Sequence, residues 1–171
     1  HANEWLRMQT ALLLPVPYFM VTFTLPDTLN DLARSNGKCI YNLFFQTAAA
    51  ALQKLAADPK FVGGGIGFFG VLQTWARDLA YHPHIHFILA GGGLSEDGST
   101  WRAAHGNFLV PVKALSKIFR AKFRDALKKK PELFAQVPSE TWQKDWVVHC
   151  EPIGSGEAAL KYLAPYIFRI A

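Results

Sequence analysis

An α+β sandwich, an antiparallel sheet with helices packed on a face, is the fold class predicted by this chain of 171 residues. Three observations point there. "YFMVTFTLP" (18–26) alternates Phe19, Val21, Phe23 and Leu25 with Tyr18, Met20, Thr22 and Thr24, the period of a half-buried strand. "GKCIYNLFFQTAAAALQKLAAD" and "VPVKALSKIFRAKFRDALKKK" are long and helical in pattern. The order along the chain is strand, helix, two strands, helix, strand, and a terminal helix.

Residues 1–14 read as a leading helix. The first strand shows Thr22 and Thr24 on its second face and stops at Pro26. Asn36 offers an N-cap for the Ala-rich helix, which Pro59 ends. "VGGGIGFFG" (62–70) leads into "VLQTWA", a second strand. No Lys-Ser/Thr follows these glycines and no helix begins there, so they read as a close backbone approach or a strand bend. The segment 83–90 makes a third strand, antiparallel to the second across a loop near 76–82, and "GGGLSEDGST" is a turn-rich connection. An amphipathic helix over 110–130 stops at Pro131, "DWVVHCEP" (145–152) is a fourth strand, and Ser155 caps a last helix over 155–170.

Half of the residues are apolar and 13% aromatic, which excludes disorder and suits one domain with a real core. No apolar run reaches the ~18 residues of a membrane span; the longest is interrupted by Asn42, Gln46 and Gln53. The chain opens on His1 with no signal-peptide pattern, so the expectation is a cytoplasmic protein of which 1–171 is a single-domain fragment. Cys39 and Cys150 lie far apart and read as reduced, buried thiols. Eighteen basic against thirteen acidic residues give +5, compatible with a polyanionic partner.

Three constellations carry chemistry. In "AYHPHIHFIL" (80–89) His84 and His86 stand side by side on one strand face, where they can hold a metal, relay protons or pack. Gln73, on the preceding strand, is a third ligand that a hairpin can carry opposite them. His82 competes for that place, although Pro83 interrupts the strand's start. Two imidazoles and an amide oxygen favour Mg²⁺ or Mn²⁺ in a phosphate reaction over a closed zinc site.

On the terminal helix, Leu160, Leu163, Ala164 and Ile167 form one stripe. Tyr162 and Tyr166 project together elsewhere, with Arg169 close to them. Two phenols beside a guanidinium suit attack on a phosphodiester, and equally tyrosines can rim a core. On the basic helix, Lys113, Lys117, Arg120, Arg124 and Lys128 make a single cationic row, either a track for a nucleic-acid backbone or a solvated face.

Together, "YHPHIHFIL", "YLAPY" and the "FTLP" strand resemble the two-tyrosine rolling-circle transposases of bacterial insertion sequences, within the HUH endonuclease superfamily. The resemblance runs from "LLPVPYFMVTFTLP" through "VLQTWARDLAYHPHIHF" to "ALKYLAPYIFRIA". It implies a ferredoxin-like, RRM-like sheet with the histidines on a central strand. It also implies a divalent ion on His84 and His86, with tyrosine attack on single-stranded DNA at the ends of the element. The products are a 5′-phosphotyrosine and a free 3′-hydroxyl, and no ATP is used. Relatives often carry His where this chain has Gln73, and Pro165 predicts a kink between the tyrosines. Two other readings stand beside this one. One is a nucleotide hydrolase of the histidine-triad kind, and the other is a decayed module that binds single strands without cleaving them.

Overall fold

The computed structural model describes residues 2–76 and 78–167, without the side chains at 2, 163 and 165–167. Its helices are α1 (Ala2–Thr10), α2 (Asn30–Ser35), α3 (Gly37–Ala56), α4 (Val112–Lys128), α5 (Pro131–Phe134) and α6 (Gly156–Ile167). Its strands are β1 (Tyr18–Thr24), β2 (Phe68–Trp75), β3 (Tyr81–Ala90), β4 (Gly92–Leu94), β5 (Trp101–Ala103) and β6 (Val148–Gly154). The main sheet has the order β2-β3-β1-β6 with every pairing antiparallel. Carried by the helix–strand alternation, this is the expected ferredoxin-like arrangement, with β1 and β3 in the centre.

Strand alternation divides the residues of β1 and β3 between two faces. Phe19, Val21, Phe23, Ile85, Phe87 and Leu89 face one way and form the main core with α3 and α4. Phe119 of α4 is fully buried there, with ring centroids 5.0 Å from Phe23, 5.0 Å from Trp146 and 5.6 Å from Phe44. On the other face, Tyr18, Met20, Ile88 and Ala90 pack with Ala159 of α6 in a smaller cluster that Leu13 and Val16 join. Helices therefore cover both faces of the sheet. The expected antiparallel sheet with helices packed on it is present, and the side to which each apolar stripe docks is set by the tertiary structure.

Several local expectations change. Asn36 makes no side-chain cap; residues 30–35 are already helical, and its Nδ2 donates back to the Leu32 carbonyl at 3.2 Å. The leading helix ends at Thr10 and the second strand begins at Phe68. The fourth strand runs over 148–154, because Trp146 is drawn into the core, where its Nε1 donates to the Thr141 carbonyl and Ser116 Oγ donates to its carbonyl. The connection after β3 holds a hairpin, β4–β5, whose three-residue strands are too short to show alternation. Backbone approach explains part of the glycine run: a Cβ at Gly64 would lie 2.7 Å from the Leu94 carbonyl oxygen. The helix α6 passes through Pro165 and continues to Ile167. Cys39 and Cys150 are unpaired but half-buried, and burial pushes the Cys150 thiol up to about 11.

Candidate functional site

Antiparallel register assembles the site. His84 pairs with Thr24 on one side and Gln73 on the other, while His86 pairs with Thr22 and Val71. Directly opposed residues share a face, so Gln73, His84, His86, Thr22 and Thr24 all project from the side that α6 covers. Pro83 does not interrupt β3, because its ring takes no ladder donor and its carbonyl accepts from Leu25 N–H at 3.0 Å. His82 therefore joins the same row, with its ring centroid 5.3 Å from that of His84. The ring of His86 lies 4.9 Å beyond His84 at a near-right angle.

These side chains line a cleft of ≈ 400 Å³ together with Trp75, Ala76, Leu79 and Tyr162. Tyr162 enters from α6, its ring centroid 6.2 Å from that of His86, and is 44% exposed. Leu160, from the same helix, is buried. Leu79 forms an exposed rim and adopts φ 65°, a left-handed conformation that a branched side chain tolerates poorly. The side chain of Tyr166, one turn along α6, lies outside the described residues, as do those of Leu163 and Ile167; Arg169 lies outside them entirely.

Both imidazoles are oriented through Nδ1. His84 Nδ1 lies 2.7 Å from the His82 carbonyl oxygen, which can only accept, so the proton sits on Nδ1 and the lone pair on Nε2. His86 Nδ1 lies 2.8 Å from Thr22 Oγ1, a hydroxyl that can donate or accept, and this bond engages Nδ1 and leaves Nε2 outside it. Desolvation lowers both pKa values, that of His86 to about 4 with His84 adding repulsion, so both rings are neutral near pH 7. Gln73 is 6% exposed, and among the described residues its Nε2 has no hydrogen-bond partner. Among the described residues no three His, Cys, Asp or Glu side chains converge at metal-binding spacing. Two neutral imidazoles, with the carboxamide of Gln73 beside them to offer its oxygen, nevertheless form a donor set that fits one divalent cation.

The basic row lies elsewhere. The helix α4 packs against the sheet face opposite the cleft, so Lys113, Lys117, Arg120, Arg124 and Lys128 do not reach the histidines. Arg120 donates to the Lys144 carbonyl and lies 3.6 Å from Asp145, Arg124 lies 3.5 Å from Asp125, and Lys128 sits 5.9 Å over the Phe134 ring.

Sequence reading missed Trp75 and Leu79 as lining residues. A register shift between Gln73 and Trp75 turns that end of β2, and a bulge of this kind leaves no mark in an apolar pattern. It also missed His149, which pairs with Thr22 on the far strand and lies 3.4 Å from Glu151.

The chain is similar in sequence and fold to known proteins. The family profile Y2_Tnp, described as "Putative transposase", matches residues 67–171, which hold β2, the three histidines and both tyrosines. "Putative transposase y4qJ" of Sinorhizobium fredii is 36% identical over 186 residues, covering 98% of this chain and 47% of that protein. The transposase of insertion sequence element IS801 from Pseudomonas savastanoi pv. phaseolicola is 36% identical over 100 residues, covering 58% of this chain and 23% of that one. The chain thus spans less than half the length of these curated relatives. A metal-bound structure of the conjugative relaxase TrwC with oriT DNA superposes with a TM-score of 0.52 at 19% identity, over 67% of this chain and 44% of that one. That likeness gives the fold, an HUH-type sheet. The family match over 67–171 and the 36% identity over 98% of this chain agree, and the chain belongs to the Y2_Tnp transposase family.

Proposed function

We propose that this chain carries the nicking centre of a transposase that cleaves single-stranded DNA at the ends of its element by tyrosine attack. The observation that carries this reading is the meeting of Tyr162 with His86 in one cleft, brought about by a helix from the far end of the sequence. A tyrosine at core-rim spacing has no reason to stand over a pair of oriented imidazoles.

When bound by His84, His86 and Gln73, a Mg²⁺ or Mn²⁺ ion supplies Lewis-acid polarisation of the scissile phosphate. The chain's own residues do the rest. His82 and Thr24 flank the seat of that phosphate, and Trp75 offers a ring on which an unpaired base can stack. The Tyr162 oxygen attacks phosphorus as its proton leaves. The bond to the 3′ oxygen breaks, that oxygen takes a proton, and the 5′ phosphate stays esterified to the enzyme. The ester keeps the bond energy, so rejoining needs no ATP. Tyr166 supplies a second phenol, which allows a second cleavage before the first ester is released, and Arg169 would balance developing charge. A histidine-triad hydrolase would leave Tyr162 in the cleft without a task.

The test is incubation with labelled single-stranded DNA from the element's end, with and without Mg²⁺ or Mn²⁺. A denaturation-resistant adduct mapped to Tyr162 or Tyr166 is expected. Metal-independent turnover through a phosphohistidine would establish the hydrolase instead, and binding with no adduct the decayed module.

A further inference from the structure

The β2–β3 hairpin is closed by a short turn in which Ala76 N–H donates to the Ala80 carbonyl at 2.8 Å and Leu79 N–H donates to the Ala76 carbonyl at 3.0 Å. Asp78 Oδ1 accepts from Ala80 N–H at 3.1 Å and secures the turn from its side chain. Hairpin loops of this length end on a residue in the left-handed conformation, a place that glycine fills at least cost. Leu79 holds it here, at φ 65°. Among the described residues it is the one non-glycine with a positive φ, and the other such positions are Gly63, Gly98, Gly106 and Gly154. The Leu79 side chain is 81% exposed, more than any other large apolar side chain among the described residues. A single exposed leucine is ordinary. An exposed leucine that also forces its backbone into the left-handed region is not, because the fold gains no buried surface in return. The side chain lines the same cleft as Trp75, His82, His84 and Tyr162.

We propose that Leu79 is a substrate-contacting residue, held at the cleft rim to pack against one unpaired base of the nucleotides flanking the scissile phosphate. The proposal deepens the transposase reading and rests on it for single-stranded DNA as the substrate. An apolar side chain has nothing to offer a phosphate or a sugar hydroxyl, but it can cover the face of a base. Only an unpaired strand presents such faces, since a duplex keeps them stacked inside. Position fits as well. His84 and Tyr81 are three residues apart on β3, about 10 Å at ~3.3 Å per residue, and the turn that carries Leu79 lies just beyond Tyr81. A base resting there belongs to a neighbour of the phosphate at the histidines, not to the reacting nucleotide itself. Trp75, paired with Tyr81 at the same end of the hairpin, adds a ring to the apolar surface. The strained turn thus costs the free protein some stability and returns it as grip on the strand.

The experiment measures fluorescence anisotropy of labelled dT15, and of an abasic 15-mer with the same phosphates and no bases, against the whole chain at 50 and 300 mM NaCl. Leu79→Gly and Leu79→Asn suit the left-handed backbone and remove the apolar side chain, Leu79→Met keeps an apolar one, and Leu12→Asn is an exposed control outside the cleft. The Gly and Asn variants should melt at or above the parent's temperature, yet bind dT15 at least about 5-fold more weakly, the effect of withdrawing part of a buried leucine's apolar contact. Their affinity for the abasic 15-mer should equal the parent's, and their salt slope on dT15 should be unchanged, because no charge is removed. The Met variant and the Leu12→Asn control should bind dT15 as the parent does. Equal losses on both oligomers, full dT15 affinity in the Gly and Asn variants, or a lower melting temperature in both would each overturn the proposal. So would a parent that binds the two oligomers alike or binds neither. Adduct formation at Tyr162 or Tyr166 is scored separately on DNA from the element's end. Binding through Leu79 without an adduct defeats the nicking reading alone, and an adduct with Leu79-independent binding defeats this inference alone.

Discussion

Thr22 Oγ1 and His86 Nδ1 lie 2.8 Å apart, a hydrogen bond between neighbouring central strands at directly paired positions. It fixes the ring of His86 through Nδ1 and leaves Nε2 outside the bond. Partners of this kind commonly alter metal affinity by 10–100-fold when removed. Thr22→Val, which keeps the shape and removes the hydroxyl, should weaken Mn²⁺ binding about 10-fold by calorimetry, while Thr22→Ser retains it. Equal affinity in the parent and the Val variant would show that the hydroxyl does not set the ring.

The histidine pair gives a second expectation. His84→Ala and His86→Ala should each lower divalent-ion affinity and abolish nicking, because removing one of three donors takes away much of the site's binding energy. Stability should fall by only about 0.5–3 kcal/mol, the range of ordinary substitutions. Nicking that survives in the double variant would remove the metal from the mechanism.

The phenols make a third. An unassisted phenol titrates near ~10, so attack at neutral pH depends on the cleft around Tyr162. Tyr162→Phe and Tyr166→Phe should each damage strand transfer, and only the double variant should lose every covalent adduct. Mass spectrometry of trapped complexes checks this, and DNA attached to any third residue overturns the assignment.

The core supplies a fourth. Phe119 is fully buried against Phe23, Phe44 and Trp146, joining α4 to the sheet and to α3. Phe119→Ala should cost about 3–5 kcal/mol, read as a lower urea midpoint with an unchanged slope. A loss under about 1 kcal/mol would mean that the core relaxes to fill the space.

The strands were legible because β1 writes its two faces into its letters: Phe19, Val21 and Phe23 on one, Met20, Thr22 and Thr24 on the other. The helices α3 and α4 were legible by length and period. What local pattern cannot carry is pairing between distant segments. Nothing near Thr22 announces His86, and nothing on α4 says that Arg120 will meet the Lys144 carbonyl or that the cationic row will face away from the histidines. The helix α2 and the β4–β5 hairpin were missed for a simpler reason, since six residues and three are too few to establish a period.

Gly70 lies opposite Phe87, and a Cβ there would come within 2.5 Å of the Phe87 ring and 2.8 Å of Phe45. The ring thus occupies the space a side chain at 70 would need, like a key seated in a slot. Sliding β2 by two residues would bring Phe68 or Leu72 onto that ring, so the slot admits a single alignment of the two strands. Three residues further along, the same alignment sets Gln73 opposite His84. A residue with no side chain, on the far side of the sheet from the chemistry, thereby acts as the gauge that decides which amide the histidines meet.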